Sequence, residues 1–239
     1  DGHRQPALHP SLHPQVSYGG SRPELLRPKA SSAAPPRHLA LQGPRYRAEC
    51  ILGKGSFGVV YKASVVDTGQ PVAIKSVKMK ESSREVSVLL RMRGGANVVQ
   101  LLGTFPGSTD GPVEDRMLNL VLEYVPDTLQ RIIKHHRASG TMMEMFFIRL
   151  YMCGLLRGLA CVAGLGIVHR DIKPANLLVD SATHQLKVCD FGTARLPEAQ
   201  EAGLLYVCSR YYRAPELILS TPSYSTPVDL WSCGCVLAE

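Results

Sequence analysis

Long apolar runs are missing from this 239-residue chain. No stretch of about 18 uninterrupted apolar residues occurs, so no membrane span is expected. The longest candidate, Met142 to Leu159, is broken by Glu144, Arg149 and Arg157. A basic-then-apolar leader is absent too, and the chain does not start with Met, so it reads as a piece of a longer protein. The 7 cysteines are an odd number and none is spaced CxxC. Without a secretion signal they are expected to be reduced, mostly buried thiols of an intracellular protein. Cys233 and Cys235, two apart on an apolar helical stretch, point to different faces and are not expected to hold a metal. Internal repeats are lacking. With 45% hydrophobic and 20% charged residues, a wholly disordered or collagen-like chain is excluded. The length suffices for one large domain or two small lobes with real cores.

What is present is unevenly placed. The formal charge is +7, of which residues 1–45 carry +4. The same 45 residues hold 8 of the 17 prolines and 4 of the 8 histidines, in runs such as HPSLHP that show no helical or strand period. They are expected to form a disordered basic tail. Contact of that tail with nucleic acid is not expected, because solvated tails are common.

From Tyr46 the pattern changes. ILGKGSFGVVYKASVV, the turn DTGQP and VAIKSV predict consecutive strands of an antiparallel meander. ESSREVSVLLRM places Val86, Leu89, Leu90 and Met92 at helical spacing behind a serine cap. LNLVLEYV predicts another strand, ended by Pro126. Residues 142–163 predict a long apolar core helix, followed by the strand-like NLLVD and QLKVCD and a final apolar helix in DLWSCGCVLAE. Strands first and helices later predict an α+β fold of two lobes.

Gly53, Gly55 and Gly58 form G-K-G-S-F-G-V-V. A dinucleotide fold needs a helix directly after such glycines, but another β pattern follows here. The G-x-x-x-x-G-K-S/T loop is absent as well. On this motif alone, a hairpin that lays its backbone over a triphosphate and a plain hairpin with turn glycines remain equally open. The ordered residues downstream decide between them. In Val72-Ala73-Ile74-Lys75, strand alternation puts Ala73 and Lys75 on one face, so a small adenine contact and a phosphate-binding ammonium share a surface. Glu85 on the next helix can pair with Lys75. In His169-Arg170-Asp171-Ile172-Lys173-Pro174-Ala175-Asn176, Asp171 is the candidate base and Lys173 can neutralise the transferred phosphoryl group. Asn176, with Asp190 of Asp190-Phe191-Gly192, can hold a metal ion. Ala214-Pro215-Glu216 follows. Phosphoryl transfer asks mainly for positioning and charge neutralisation, which this set supplies.

The chain therefore resembles a eukaryotic protein kinase over residues 46–239, with residues 46–125 as small lobe and hinge and 126–239 as an incomplete, helical large lobe. That resemblance implies a two-lobed kinase-like fold, ATP and Mg2+ as cofactors, and protein substrates. It implies ATP contacts from Leu52, Gly53, Gly55, Ser56, Phe57, Gly58 and Val60, from Ala73 and Lys75, and from Asn176, Leu178 and Cys189. Leu122 would guard the pocket, and the backbone of Glu123, Tyr124 and Val125 would bind adenine. Cys189 reads first as a buried core thiol. Lys173 is similar to serine/threonine kinases.

LVLEYVPDTLQRIIKHH, Leu177 to Asp180 and above all Tyr206-Val207-Cys208-Ser209-Arg210-Tyr211-Tyr212-Arg213 resemble the glycogen synthase kinase-3, shaggy-like branch. Tyr206 matches that branch's activation-loop tyrosine, an expected phosphorylation site. Related kinases carry a phosphothreonine near Leu204, but residues 196–213 contain no threonine. Arg84, Arg170 and Arg195 are accordingly expected to form a pocket for a phosphate already on the substrate. Such a kinase would be cytoplasmic or nuclear, and scaffold proteins could partner a full-length form. Because the chain ends at Glu239, the resemblance implies that later helices are missing, leaving Glu216 without its basic partner and Trp231, Val236 and Leu237 without cover. Two further readings stay open: an inactive kinase-like fragment or pseudokinase that only binds, and a proline-directed sister kinase.

Overall fold

Tyr46–Gly55 (β1), Gly58–Val65 (β2) and Pro71–Lys78 (β3) form the antiparallel meander that opens the small lobe. A computed structural model gives the structure and describes residues 43–55, 58–107, 116–196, 209–219 and 225–239; the tail over 1–42 lies outside them. Leu101–Pro106 (β4) and Met117–Glu123 (β5) complete a five-stranded sheet in the order β1-β2-β3-β5-β4. β3 lies in its middle and is apolar on both faces. Val72 and Ile74 join Ala63 and Val121 in one cluster, while Ala73 and Val77 belong to the main core. β4 was not legible: its alternate residues are exposed, as befits an edge strand.

The helix α1, Met79–Arg91, follows β3 with no intervening loop. It corrects two expectations. Lys78, not serine, occupies the N-cap position, and Ser82 sits inside the first turns with its hydroxyl donating to the Met79 carbonyl at 2.8 Å. Leu90 is exposed, and Val88 fills the core beside Leu89 and Met92. The spacing was helical, but the stripe was rotated, because the buried face includes the point where Glu85 meets β3.

The large lobe carries a three-stranded sheet of Asp127–Thr128 (β6), Leu177–Asp180 (β7) and Gln185–Val188 (β8). Its helices are Leu129–Ala138 (α2), Met145–Gly164 (α3), Pro215–Ile218 (α4) and Pro227–Ala238 (α5). α2 starts where the Thr128 hydroxyl accepts the Arg131 N–H at 3.2 Å, a side-chain cap. α3 is the segment in which the expected interruptions fall, with Arg149 and Arg157 inside it. It starts at Met145 and leaves Glu144 at the cap, so by length and composition it is apolar enough to cross a membrane. In this fold it is a core helix that buries Tyr151, Leu155, Leu159 and Val162. The cysteines are less enclosed than expected: Cys50 and Cys153 are exposed, whereas Cys233 is buried. Val236 is buried too, against expectation, while Trp231 and Leu237 stand exposed.

The loop between α1 and β4 is fastened to the large lobe. The Val99 N–H donates to the Val188 carbonyl at 2.9 Å, and Val188 returns a bond to the Asn97 carbonyl at 2.8 Å. The Asn97 side-chain amide donates to the Leu186 carbonyl at 2.7 Å. Two α3 glycines let this loop come close. A Cβ on Gly158 would lie 2.8 Å from the Asn97 carbonyl oxygen and 2.9 Å from a Val188 methyl. Gly158→Ala is therefore expected to destabilise the fold by about 1–3 kcal/mol, the usual cost of forcing atoms into a filled site. Urea denaturation checks this, with an unchanged midpoint as the contrary result.

Candidate active site

The small-lobe wall of the cleft begins with a hairpin that only glycine can close. Gly55 pairs with Gly58, whose φ is +132°, and a Cβ there would fall 2.0 Å from the Ser76 carbonyl oxygen. Gly53 and Gly55 have open space where side chains would be, so their backbone is free to approach a ligand. Ser56 and Phe57, at the tip, lie outside the described residues.

A cleft of about 610 Å3 runs between the lobes. Leu52, Gly53, Gly55, Gly58, Val60, Ala73, Lys75, Leu122, Glu123, Tyr124, Val125, Asn176, Leu178 and Cys189 all line it. So do Glu85, Asp171, Lys173 and Asp190, together with Asp127 and Arg131, an ion pair of 3.3 Å absent from the sequence-based set.

Lys75 sits at its centre. Its ammonium donates to both oxygens of Glu85, at 2.7 and 2.8 Å, and to Asp190 Oδ1 at 2.7 Å. Burial works against this cation, but the two carboxylates win and hold its pKa above the ordinary lysine value. Burial also pushes the Asp190 carboxyl up, yet Lys75 pulls it further down, and it ends below its ordinary value. Glu85 is the more enclosed of the two, and burial outweighs the ammonium it shares, so its pKa is raised. Burial likewise drives the Cys189 thiol far up, with Asp190 adding to it, which keeps that sulfur neutral.

The loop from His169 to Asn176 is built on strain held in check. Arg170 (φ 69°) and Asp190 (φ 63°) adopt left-handed backbone, at a cost of about 1–3 kcal/mol each for non-glycine residues. The restraint on Arg170 comes from Asp229, in the first turn of α5, which sequence reasoning missed. Its Oδ2 accepts the His169 N–H at 2.7 Å and its Oδ1 accepts the Arg170 N–H at 2.9 Å. Burial raises the Asp229 carboxyl although His169 and these two donors pull it down. The signal available was an acidic residue opening an otherwise apolar helix. The His169 ring adds a second tie: its Nδ1 accepts the Asp171 N–H at 3.2 Å, so its Nε2–H donates to the Cys189 carbonyl at 3.0 Å. Phe191 meets the same ring edge-on, with centroids 4.8 Å apart.

These ties present Asp171. Its Oδ2 accepts from Lys173 Nζ at 2.7 Å and from Asn176 Nδ2 at 2.9 Å. Its Oδ1 accepts the Ser209 hydroxyl at 2.9 Å, and that same hydroxyl accepts from Lys173 at 3.0 Å. Ser209, another residue sequence reasoning missed, thus directs its hydroxyl at the Asp171 carboxylate and closes a triangle with Lys173.

The oxygens of Asn176 and Asp190 suit a hard divalent cation. Among the described residues there is no cluster of three metal-ligating side chains. A metal here would therefore draw its remaining ligands from phosphate oxygens and water, as magnesium commonly does.

Of the three arginines expected around a phosphate, Arg170 is buried, with its Nε donating to the Thr193 carbonyl at 2.5 Å. Arg195 lies beside the catalytic loop, exchanging two backbone bonds with Val168. Arg84 is half-buried on α1 next to Glu85. All three have interaction partners. Tyr206 and Leu204 lie outside the described residues, and Glu216 is half-buried.

Among known sequence families, the model for the protein kinase domain matches residues 46–239. The shared ammonium yields a stability prediction. Removing one partner of a buried pair costs about 3–5 kcal/mol, so Lys75→Met should lose that much at neutral pH. In the wild type the two carboxylates act oppositely on stability. The contribution of Asp190 is present above its ordinary value near 3.8 and fades as pH falls through its lower native value. Glu85, with a raised native pKa, opposes stability as pH rises past 4.5. Without the cation, burial raises both, so the variant should lose stability with rising pH through the whole carboxylate range. Urea denaturation of both proteins at a series of pH values checks the reversal at Asp190.

Proposed function

The chain belongs to the protein kinase domain family, and we propose that it transfers the γ-phosphate of MgATP to serine or threonine hydroxyls of proteins. The observation that carries this reading is Ser209 on Asp171. A short aliphatic hydroxyl already makes, with Asp171 and Lys173, the contacts that a serine or threonine acceptor needs. A phenol, with its oxygen a ring's length from the backbone, has a different reach. In the transfer, the acceptor oxygen bonds to the γ-phosphorus as its proton passes to the Asp171 carboxylate. The bond from that phosphorus to the ADP oxygen breaks. Lys173 and Lys75 neutralise charge on the moving and remaining phosphates, and Glu85 fixes Lys75. A divalent cation bound at Asn176 and Asp190 supplies further charge neutralisation.

Within this function we infer a preference for substrates already phosphorylated a few residues C-terminal to the target. The support is the resemblance of residues 206–216 to the glycogen synthase kinase-3 branch and the lack of a loop threonine. Arg84 on α1 and Arg195, bonded through its backbone to Val168, carry the kind of guanidinium donors that such a phosphate takes.

The test uses purified protein, MgATP and matched peptides carrying serine, threonine or tyrosine, each with and without a downstream phosphate. Transfer to serine and threonine but not tyrosine is expected, as is a drop of at least about a hundredfold in Asp171→Asn, the scale of a lost general base. The downstream phosphate should raise kcat/KM about tenfold or more, an advantage lost in Arg84→Ala. Equal use of all peptides by both enzymes would overturn the preference.

A further inference from the structure

A polar knot at the hinge takes no part in the transfer just described. Glu123 ends β5, opposite Val72 of β3, and opens the segment that leads to the large lobe. Its Oε2 accepts from Lys187 Nζ at 2.6 Å and its Oε1 from the Gln100 N–H at 2.8 Å. Its own N–H donates to the Gln100 carbonyl at 3.0 Å. The Gln100 side chain is spent on its own loop: Nε2 donates to Val98 at 2.9 Å, and Oε1 accepts the Gly94 N–H at 2.7 Å. That loop is bonded to β8 through Asn97 and Val99. The first hinge residue is therefore tied to the large lobe by three bonds, two of them through its carboxylate. The next residue, Tyr124, turns to the small lobe, where Lys62 Nζ lies 5.4 Å from its ring centroid.

Lys187 has a second relation to the cleft. On β8 it is the cross-strand partner of Leu178 on β7, and Leu178 lines the cleft from the large-lobe side. The Glu123–Lys187 pair thus spans from the hinge backbone to the strand pair bearing Leu178. Both side chains are about three-quarters covered, at 24% and 22% exposure, so solvent screens the pair only in part.

We propose that Lys187, acting through Glu123, is a positioning residue for the nucleotide. It fixes the gap between the hinge backbone and Leu178, so the slot for the base is set before the nucleotide arrives. This inference rests on the reading of the cleft as an ATP site. Preorganisation of this kind acts on binding, because the ordering cost is met in the free protein. It makes no contact with the reacting atoms, so it leaves the chemical step alone.

The experiment uses the full chain and variants Lys187→Met, Lys187→Arg and Glu123→Gln. Equilibrium binding of a fluorescent ATP analogue with Mg2+ is measured beside kcat and KM for ATP. Lys187→Met is expected to weaken binding and raise KM by about tenfold, the scale of one charge-assisted bond. The change in kcat should stay within about twofold, and arginine should restore most of the affinity. In the Glu123→Gln background, Lys187→Met should add nothing, since its partner charge is already gone. Should Lys187→Met not melt cooperatively, Glu123→Gln carries the expected loss of affinity alone. Wild-type affinity in the charge-removing variants would overturn the proposal. So would a rise in kcat at unchanged affinity, which would make the pair a restraint on lobe movement, or a further tenfold loss in the double variant. A wild type that binds the analogue yet phosphorylates no serine or threonine would defeat the proposed reaction while the affinities still decide this inference. A wild type that binds no nucleotide defeats both.

Discussion

One ammonium serves two carboxylates. Lys75 comes from the small lobe's middle strand, Glu85 from α1 and Asp190 from the stretch just after β8, so three parts of the chain meet on a single cation. Two anions and one cation leave a net negative charge in a largely buried place, and such an arrangement is tolerable only with good geometry. The opposite fates of the carboxylates follow from burial, which outweighs the shared ammonium at the more enclosed Glu85 and yields to it at Asp190. A polyphosphate with its cation changes the balance. Under the proposed function it would bring further anionic oxygens for Lys75 and a second positive centre for Asp190, while Glu85 would keep the lysine in place.

The loop from His169 to Asn176 shows the same economy. Left-handed backbone at Arg170 aims Asp171, and the strain is held by a carboxylate whose oxygens each receive one backbone N–H. Because Asp229 belongs to a helix that buries Val228, Ser232, Cys233 and Val236, the loop inherits the rigidity of the core. α5 thus acts at the site through one carboxylate that grips the backbone of the loop, and none of its side chains lines the cleft.

The parts legible in the sequence were those whose chemistry demands particular residue types at short spacing. The glycines at 53, 55 and 58, the alternation of Ala73 and Lys75, and the block from His169 to Asn176 announce themselves because backbone approach and charge placement admit few substitutes. β4 did not, since an edge strand with Gly103 and Thr104 has too little apolar alternation to read. The serine cap failed for a different reason: β3 runs straight into α1, and the demand that Glu85 reach Lys75 moved the helix start ahead of the serines. Ser209 and the Glu123–Lys187 pair could not be read, and Asp229 offered only its place at the start of an apolar helix, because each acts across 38 to 64 residues on a partner that only folding supplies. Of the three charges expected to interrupt the apolar helix, Arg149 and Arg157 lie within it, while Glu144 belongs to its cap.

The glycines of α3 have a consequence for how the lobes are inherited as parts. Gly158 admits the loop from Asn97 to Gln100, and the bonds from that loop to β8 make it mechanically a piece of the large lobe, although it lies between two small-lobe elements in sequence. The border between the lobes therefore crosses the chain three times, before Asn97, after Gln100 and beyond Glu123. A chimera joined by one cut at the hinge would pair one parent's loop with the other parent's helix. Graft and host then match only where the glycine notch and the loop that fills it are exchanged as a unit.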